Sequence, residues 1–199
     1  MSDVLFVCTG NICRSAFAAV LLRHLRPDLV VDSAGTHALE GHGVDESVQR
    51  QLLIRGVTDL AHSAKSLNER IVRQAEIIFC MENSHMNALQ STFPCSLRKS
   101  FLLSYVEFLD EVLSEKNQIT PAQTVDILWR QRQNGSTAGG ISDPYRQSES
   151  VYSAVANALE KHVRVIARSL RVSRLSGSQG TPSLSAATSF PQLKFESHM

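Results

Sequence analysis

Cys8 and Arg14 stand six positions apart in "FVCTGNICRS", Ser15 follows the arginine directly, and Asp143 lies far downstream in "GGISDPYRQ". A thiol, a guanidinium, a hydroxyl and a carboxyl are the parts from which a site acting on phosphate can be built. The guanidinium grips two phosphate oxygens in a planar fork that a lysine cannot match. A thiol reacts as its thiolate, and positive surroundings at a helix N-terminus favour that form. The pattern alone is weak, because four cysteines and fifteen arginines in 199 residues give about 0.3 Cys-x5-Arg pairs by chance. The case depends on the elements that would bring these groups together.

Short apolar runs alternate with helical patterns along the chain. "VLFVC" (4–8) reads as a buried strand, and "RSAFAAVLLRHLR" (14–26) as a helix stopped by Pro27. "LVVDSAG" (29–35) reads as a second strand. "DESVQRQLLIRG" (45–56) reads as a helix that Asp45 can cap and Gly56 ends. "EIIFC" (76–80) and "KSFLL" (99–103) complete four strands, with "NSHMNALQSTF" (83–93) a helix between them and 148–170 a long closing helix. Such alternation predicts an α/β fold: a four-stranded parallel sheet with helices on both faces. In these sheets ligands bind beyond the carboxyl ends of the strands, where strand order reverses. The loop between first strand and first helix, residues 8–15, is the expected phosphate-binding loop.

In that position the backbone N–H groups from about Thr9 to Arg14 would point into one concavity, joined by the positive end of the helix dipole. Gly10 and Asn11 both suit a tight nest, because both tolerate left-handed backbone. Ile12 and Cys13 complete the loop, and Ser15 can donate to the sulfur. A thiolate at the floor of this cradle is placed for in-line attack on phosphorus, giving a phosphocysteine. The leaving oxygen then needs a proton, and the same group can serve as base toward water afterwards. Asp143 fits that need: Pro144 forces it toward extended geometry, and Tyr145 offers a flat wall at the mouth. Taken alone, Asp-Pro is a routine turn, and Cys8 fits a small buried hydrophobe at a strand end.

With both segments in hand, the sequence resembles the low-molecular-weight protein tyrosine phosphatase family. "FVCTGNICRS" looks like its catalytic loop, "VDSAGTHA" (31–38) like its second-strand signature, and "AHSAKSL" (61–67) like its following turn. "IIFCMENSHMNAL" (77–89) resembles its third strand and helix, and "DPY" its acid loop. The resemblance runs in order across residues 3 to 170. It implies Cys8 as nucleophile, Arg14 as phosphate clamp and Asp143 as general acid then base. It also implies that Asn11, held by Ser33, fixes the loop's shape, that Ser15 assists the thiolate, and that Thr9, Gly10, Asn11, Ile12, Cys13, Ser15 and Tyr145 bind substrate. Cys13 corresponds to a loop cysteine that can trap oxidised Cys8 as a disulfide; a packing residue fits that position equally. Glu82 stands where the family usually has aspartate, and Arg146 where animal members often carry a second aromatic.

Charge is nearly balanced, +1 overall with 20 basic and 19 acidic residues, so no electrostatic footprint for nucleic acid or a membrane surface exists. The N-terminus carries no positive n-region and no long apolar run, so a cytoplasmic protein with reduced thiols is expected. Cys8, Cys13, Cys80 and Cys95 lack zinc spacing, and the seven histidines form no metal pattern, so neither metal nor cofactor is expected. The partner implied is a phosphotyrosine-bearing protein or small aryl phosphate, with a tyrosine kinase among such substrates. Three other readings compete. Thiol-dependent arsenate reduction needs further cysteines to relay a disulfide outward. A phosphocysteine carrier needs no Arg14 and Asp143 together. A silent binding module would not need nucleophile, clamp and acid intact. Residues 1–172 form the expected phosphatase domain. Within it, 106–140 reads as an insertion on the surface, with Thr120 a cap and Pro121 opening a helix. The Ser- and Gly-rich 173–199 reads as a disordered tail.

Overall fold

The computed structural model describes residues 1–112, 118–135 and 139–172; the expected tail, 173–199, lies outside them. The unbroken apolar run after Asp3 forms β1 (Ser2–Cys8), every residue of it buried. It is flanked by β2 (Val31–Gly35) and β3 (Ala75–Cys80), and β3 pairs with β4 (Ser100–Leu102). All pairings are parallel, in the order β2-β1-β3-β4. Burial on both faces explains why β1 and β3 read as continuous rather than alternating hydrophobic runs. The second strand starts at Val31 rather than residue 29, because Val30 is held off the ladder. Its N–H donates to the Asp3 carboxylate at 2.7 Å while its carbonyl accepts from the Asp3 N–H at 2.8 Å.

The helices follow the expected signals closely. α1 (Arg14–Leu25) ends one residue early, because Arg26 precedes Pro27 and takes an extended φ of −139°. α2 (Glu46–Ile54) is capped by Asp45, whose carboxylate accepts from the N–H groups of Ser47 and Val48. A short α3 (Glu69–Gln74) that the hydrophobic pattern does not announce leads into β3. α4 (Asn83–Thr92) follows β3, and α5 (Glu107–Val112) follows β4 after a 3-10 turn. α6 (Pro121–Gln133) carries the expected Thr120 cap and proline start, and α7 (Glu149–Ser169) closes the described chain.

The chain steps from β1 to β2 in one direction and from β3 to β4 in the other. Right-handed crossovers therefore place α1 and α4 on opposite faces. α7 packs along α1, and α6 packs against β3. The 106–140 segment is thus more than a surface excursion, since Thr124, Val125 and Leu128 of α6 are buried in the core. Strand order reverses between β1 and β3, so a crevice opens where Cys8 and Cys80 end their strands.

Candidate active site

Residues 8–15 turn from β1 into α1 at that crevice. The carbonyls of residues 8–12 are all spoken for from outside the loop, and that of Cys13 accepts from the Phe17 N–H as the helix begins. Thr36 donates to Cys8 O at 2.9 Å, His37 to Thr9 O at 3.0 Å, Leu39 to Gly10 O at 3.0 Å and Asp45 to Ile12 O at 3.0 Å, each through its backbone N–H. The His62 ring nitrogen Nε2 donates to Asn11 O at 2.6 Å. With these five carbonyls turned out, the amides face the other way, and those of residues 10–13 reach no acceptor among the described residues. That is a nest for an anion. Gly35 makes the outer layer possible, because a Cβ there would lie 2.3 Å from Thr9 O.

Asn11 holds the shape. Its φ is +57°, a left-handed conformation that asparagine tolerates, and the residue is fully buried. Its amide nitrogen donates to Ser15 Oγ and Ser33 Oγ, both at 2.9 Å, and its Oδ1 accepts from the Lys65 N–H at 3.0 Å. Gly10, by contrast, does not use the left-handed freedom the sequence suggested for it, since its φ is not positive. It leaves the wall beside Ile12 and Leu39 without a side chain. The Ser15 hydroxyl, already accepting from Asn11, lies 2.9 Å from Cys8 Sγ and is left with its proton to donate to sulfur.

Arg14 is 2% exposed and carries three partners. Nη1 meets the Glu82 carboxylate at 2.9 Å and donates to Ile141 O at 2.9 Å, and Nη2 meets the Asp143 carboxylate at 2.8 Å. Its Nε has no partner among the described residues, a donor left for an anion in the cavity. Glu82 also caps α4 by accepting from the His85 N–H, so one carboxylate fixes both a helix start and the guanidinium. The Ile141 N–H donates to Met81 O at 2.7 Å, which pins the segment carrying Asp143 to the end of β3. Asp143 Oδ1 accepts from the Tyr145 N–H at 3.2 Å, the expected Asp-Pro turn.

These groups surround a cavity of about 210 Å³ walled by Cys8, Thr9, Gly10, Ile12, Cys13 and Arg14 of the loop, His37 and Leu39 opposite, and Asp143 and Tyr145 at the mouth. No residue of α6 lines it. Cys13 is buried, and that burial, then the negative charges of Asp45, Cys8 and Asp143, push its thiol well above its ordinary range. Cys80 is fully buried and likewise pushed up by desolvation, whereas Cys95 is exposed. Among the described residues no cluster fit to hold a metal ion occurs. Sequence spacing brought no attention to His62, Lys65 and His85, all of which grip the loop from 51 to 76 residues away.

A thiol beneath an amide nest, a buried guanidinium and a facing carboxyl define a cysteine-based site for phosphate esters. The family model for low molecular weight phosphotyrosine protein phosphatases matches residues 3–121. A phosphatase named Ptp from Acinetobacter johnsonii is 35% identical over 103 residues, covering 52% of this chain and 72% of its own. The crystal structure of the tyrosine phosphatase Wzb from Escherichia coli K30 with sulphate superposes with a TM-score of 0.64 at 29% identity, covering 84% of this chain and 97% of that one. The YwlE arginine phosphatase from Geobacillus stearothermophilus does so with a TM-score of 0.67 at 27% identity, covering 91% and 100%. The chain belongs to the low molecular weight protein tyrosine phosphatase family, whose members are hydrolases.

Proposed function

We propose that the protein hydrolyses phosphotyrosine through a phosphocysteine on Cys8. The phosphoryl group enters the nest, and its oxygens take the loop amides and the free Arg14 Nε. Cys8 Sγ attacks phosphorus as thiolate while Ser15 donates to it, the P–S bond forms, and the P–O bond to the aryl group breaks. Asp143 gives its proton to the departing phenolate. Asp143, 2.8 Å from Arg14 Nη2 and on the cavity wall, stands within reach of the leaving oxygen of a phosphoryl group held by that guanidinium. Asp143, now carboxylate, then takes a proton from water as that water attacks phosphorus. The P–S bond breaks, and phosphate and thiolate are released.

One observation carries this reading: Cys8 shares a cavity with Arg14 and Asp143, and the carbonyls of residues 8–12 around it are all bound from outside the loop. The remaining walls favour an aryl leaving group over a phosphoguanidine. Ile12, Leu39 and Tyr145 are apolar or flat, and Arg146 already stacks on the Tyr145 ring at 5.1 Å, leaving little to attract another cation. Arsenate reduction is disfavoured because Cys80 is sealed in β3 and offers no outward relay.

On this reading residues 1–172 form the catalytic unit and no cofactor takes part. The substrate is a phosphotyrosine-bearing protein, a tyrosine kinase being one such protein, in the cytoplasm where the thiol stays reduced. Among the described residues no helix is long and apolar enough to cross a membrane. Side-by-side turnover of a phosphotyrosine peptide, a phosphoarginine peptide, and arsenate with thioredoxin tests the reading. Preferred hydrolysis of the phosphotyrosine peptide supports it; preference for either of the others overturns it.

A further inference from the structure

Thr9 follows the proposed nucleophile and lines the cavity, and its hydroxyl is 2.8 Å from His85 Nε2. His85 sits in the first turn of α4, 3% exposed, and its other ring nitrogen, Nδ1, is 3.1 Å from the Glu82 backbone nitrogen. A backbone N–H can only donate, so Nδ1 must be the bare acceptor. In a neutral ring the proton is then on Nε2, which donates to Thr9 Oγ1. The ring is kept neutral by its surroundings: burial, then the Arg14 guanidinium, push it down to about 4 against weaker opposing pulls from Glu82 and Asp143. Thr9 has a single proton, and with an oxygen lone pair taken by His85 that proton has no acceptor among the described residues. The wall it stands on is the cavity wall.

The arrangement repeats the logic on the other side of the sulfur. There Asn11 donates to Ser15 Oγ, which turns the Ser15 proton toward Cys8. Here the Glu82 N–H fixes His85, and His85 fixes Thr9. We propose that His85 is a positioning residue that makes the Thr9 hydroxyl a fixed hydrogen-bond donor to an oxygen of the bound phosphoryl group. This rests on the phosphatase reading of the site but makes a separate claim about who holds the anion.

The test measures binding of inorganic vanadate and phosphate to the full chain, alongside thermal unfolding. Thr9→Val keeps the shape and removes the hydroxyl; it is expected to weaken vanadate binding about ten- to a hundred-fold, the range for a hydrogen bond to a charged group. Thr9→Ser restores the hydroxyl and recovers most of that loss. His85→Leu weakens binding in the wild-type background yet adds nothing once Thr9 is valine, because it acts through that hydroxyl. Unchanged vanadate affinity in Thr9→Val, or losses that simply add in the double variant, would overturn the proposal. Aryl phosphate turnover by the wild type reports separately on the phosphatase reading. A protein that binds phosphate through Thr9 but does not turn over would sink that reading and leave this one standing.

Discussion

Replacing Asn11 by alanine removes three hydrogen bonds at once, buried ones to Ser15 and Ser33 and a part-buried one from the Lys65 N–H. Each is worth about 1 kcal/mol net, so their loss costs about 3 kcal/mol. Alanine must also hold a φ of +57°, where its Cβ crowds the following carbonyl at a further cost of about 1 kcal/mol. The total, about 4 kcal/mol, is a large share of the 5–15 kcal/mol that holds a typical domain together. Asn11→Gly loses the same bonds without the backbone strain, so it should be the more stable of the two variants by about 1 kcal/mol. Ser33→Ala, which removes one bond of the three, should cost about 1 kcal/mol. Urea unfolding followed by Trp129 fluorescence measures all three. Vanadate affinity under native conditions should fall with the first two, because the amides lose their fixed direction. A cost below about 1 kcal/mol for Asn11→Ala, or Asn11→Gly less stable than Asn11→Ala, would refute the argument that this side chain fixes a strained loop.

Asp143→Ala should slow hydrolysis of phenyl phosphate far more than of a substrate with an acidic phenol leaving group, since only the former needs the proton; equal slowing would remove Asp143 as the acid. Cys13 keeps its proton at neutral and mildly alkaline pH because burial and the neighbouring negative charges raise its thiol. Iodoacetamide at about pH 8 should therefore label exposed Cys95 and spare Cys13 and Cys80; peptide mapping that finds Cys13 labelled as fast as Cys95 contradicts this. The folded protein binds a proton at His85 only near pH 4, whereas an unfolded chain does so near the ordinary 6.5. Between these values the unfolded state holds more protons, so stability falls as pH drops from 6.5 toward 4, by up to about 3 kcal/mol from this residue. His62 and His162, also lowered by burial, act in the same sense. Urea unfolding across that range should show the decline, reduced in His85→Gln; a flat profile would refute it.

Local signals made the scaffold legible and left the site half visible. Strand β1, the Asp45 cap and the Thr120-Pro121 start each follow from neighbouring residues; the cap and the proline start occur as read, and the strand begins two residues earlier, at Ser2. The Cys8, Arg14 and Asn11 cluster was legible because the strand–loop–helix turn places it within eight residues. Ser33 was legible only through the family pattern, and it does reach Asn11 across the β1–β2 pair. His62, Lys65 and His85 were not legible, because their contacts with the loop are made by the sheet's topology and leave no trace in spacing. Glu82 stood out as a departure from the family's usual aspartate, but its two duties, as a helix cap and as the partner of Arg14, do not show in composition. The burial of α6 was missed because a polar stretch surrounds its few apolar residues, and only packing on β3 reveals which of them face inward.

The most direct measurement is a rapid-quench trap of the reaction intermediate. The Asp143→Asn protein is mixed with an aryl phosphate bearing an acidic leaving group, denatured in acid within the first turnover, and mapped by mass spectrometry. Slowed attack by water should let phosphate accumulate on Cys8, with no such adduct in a chain that also carries Cys8→Ser. Phosphate found on another residue, or undiminished turnover by the Cys8→Ser protein, would contradict a thiolate-centred mechanism.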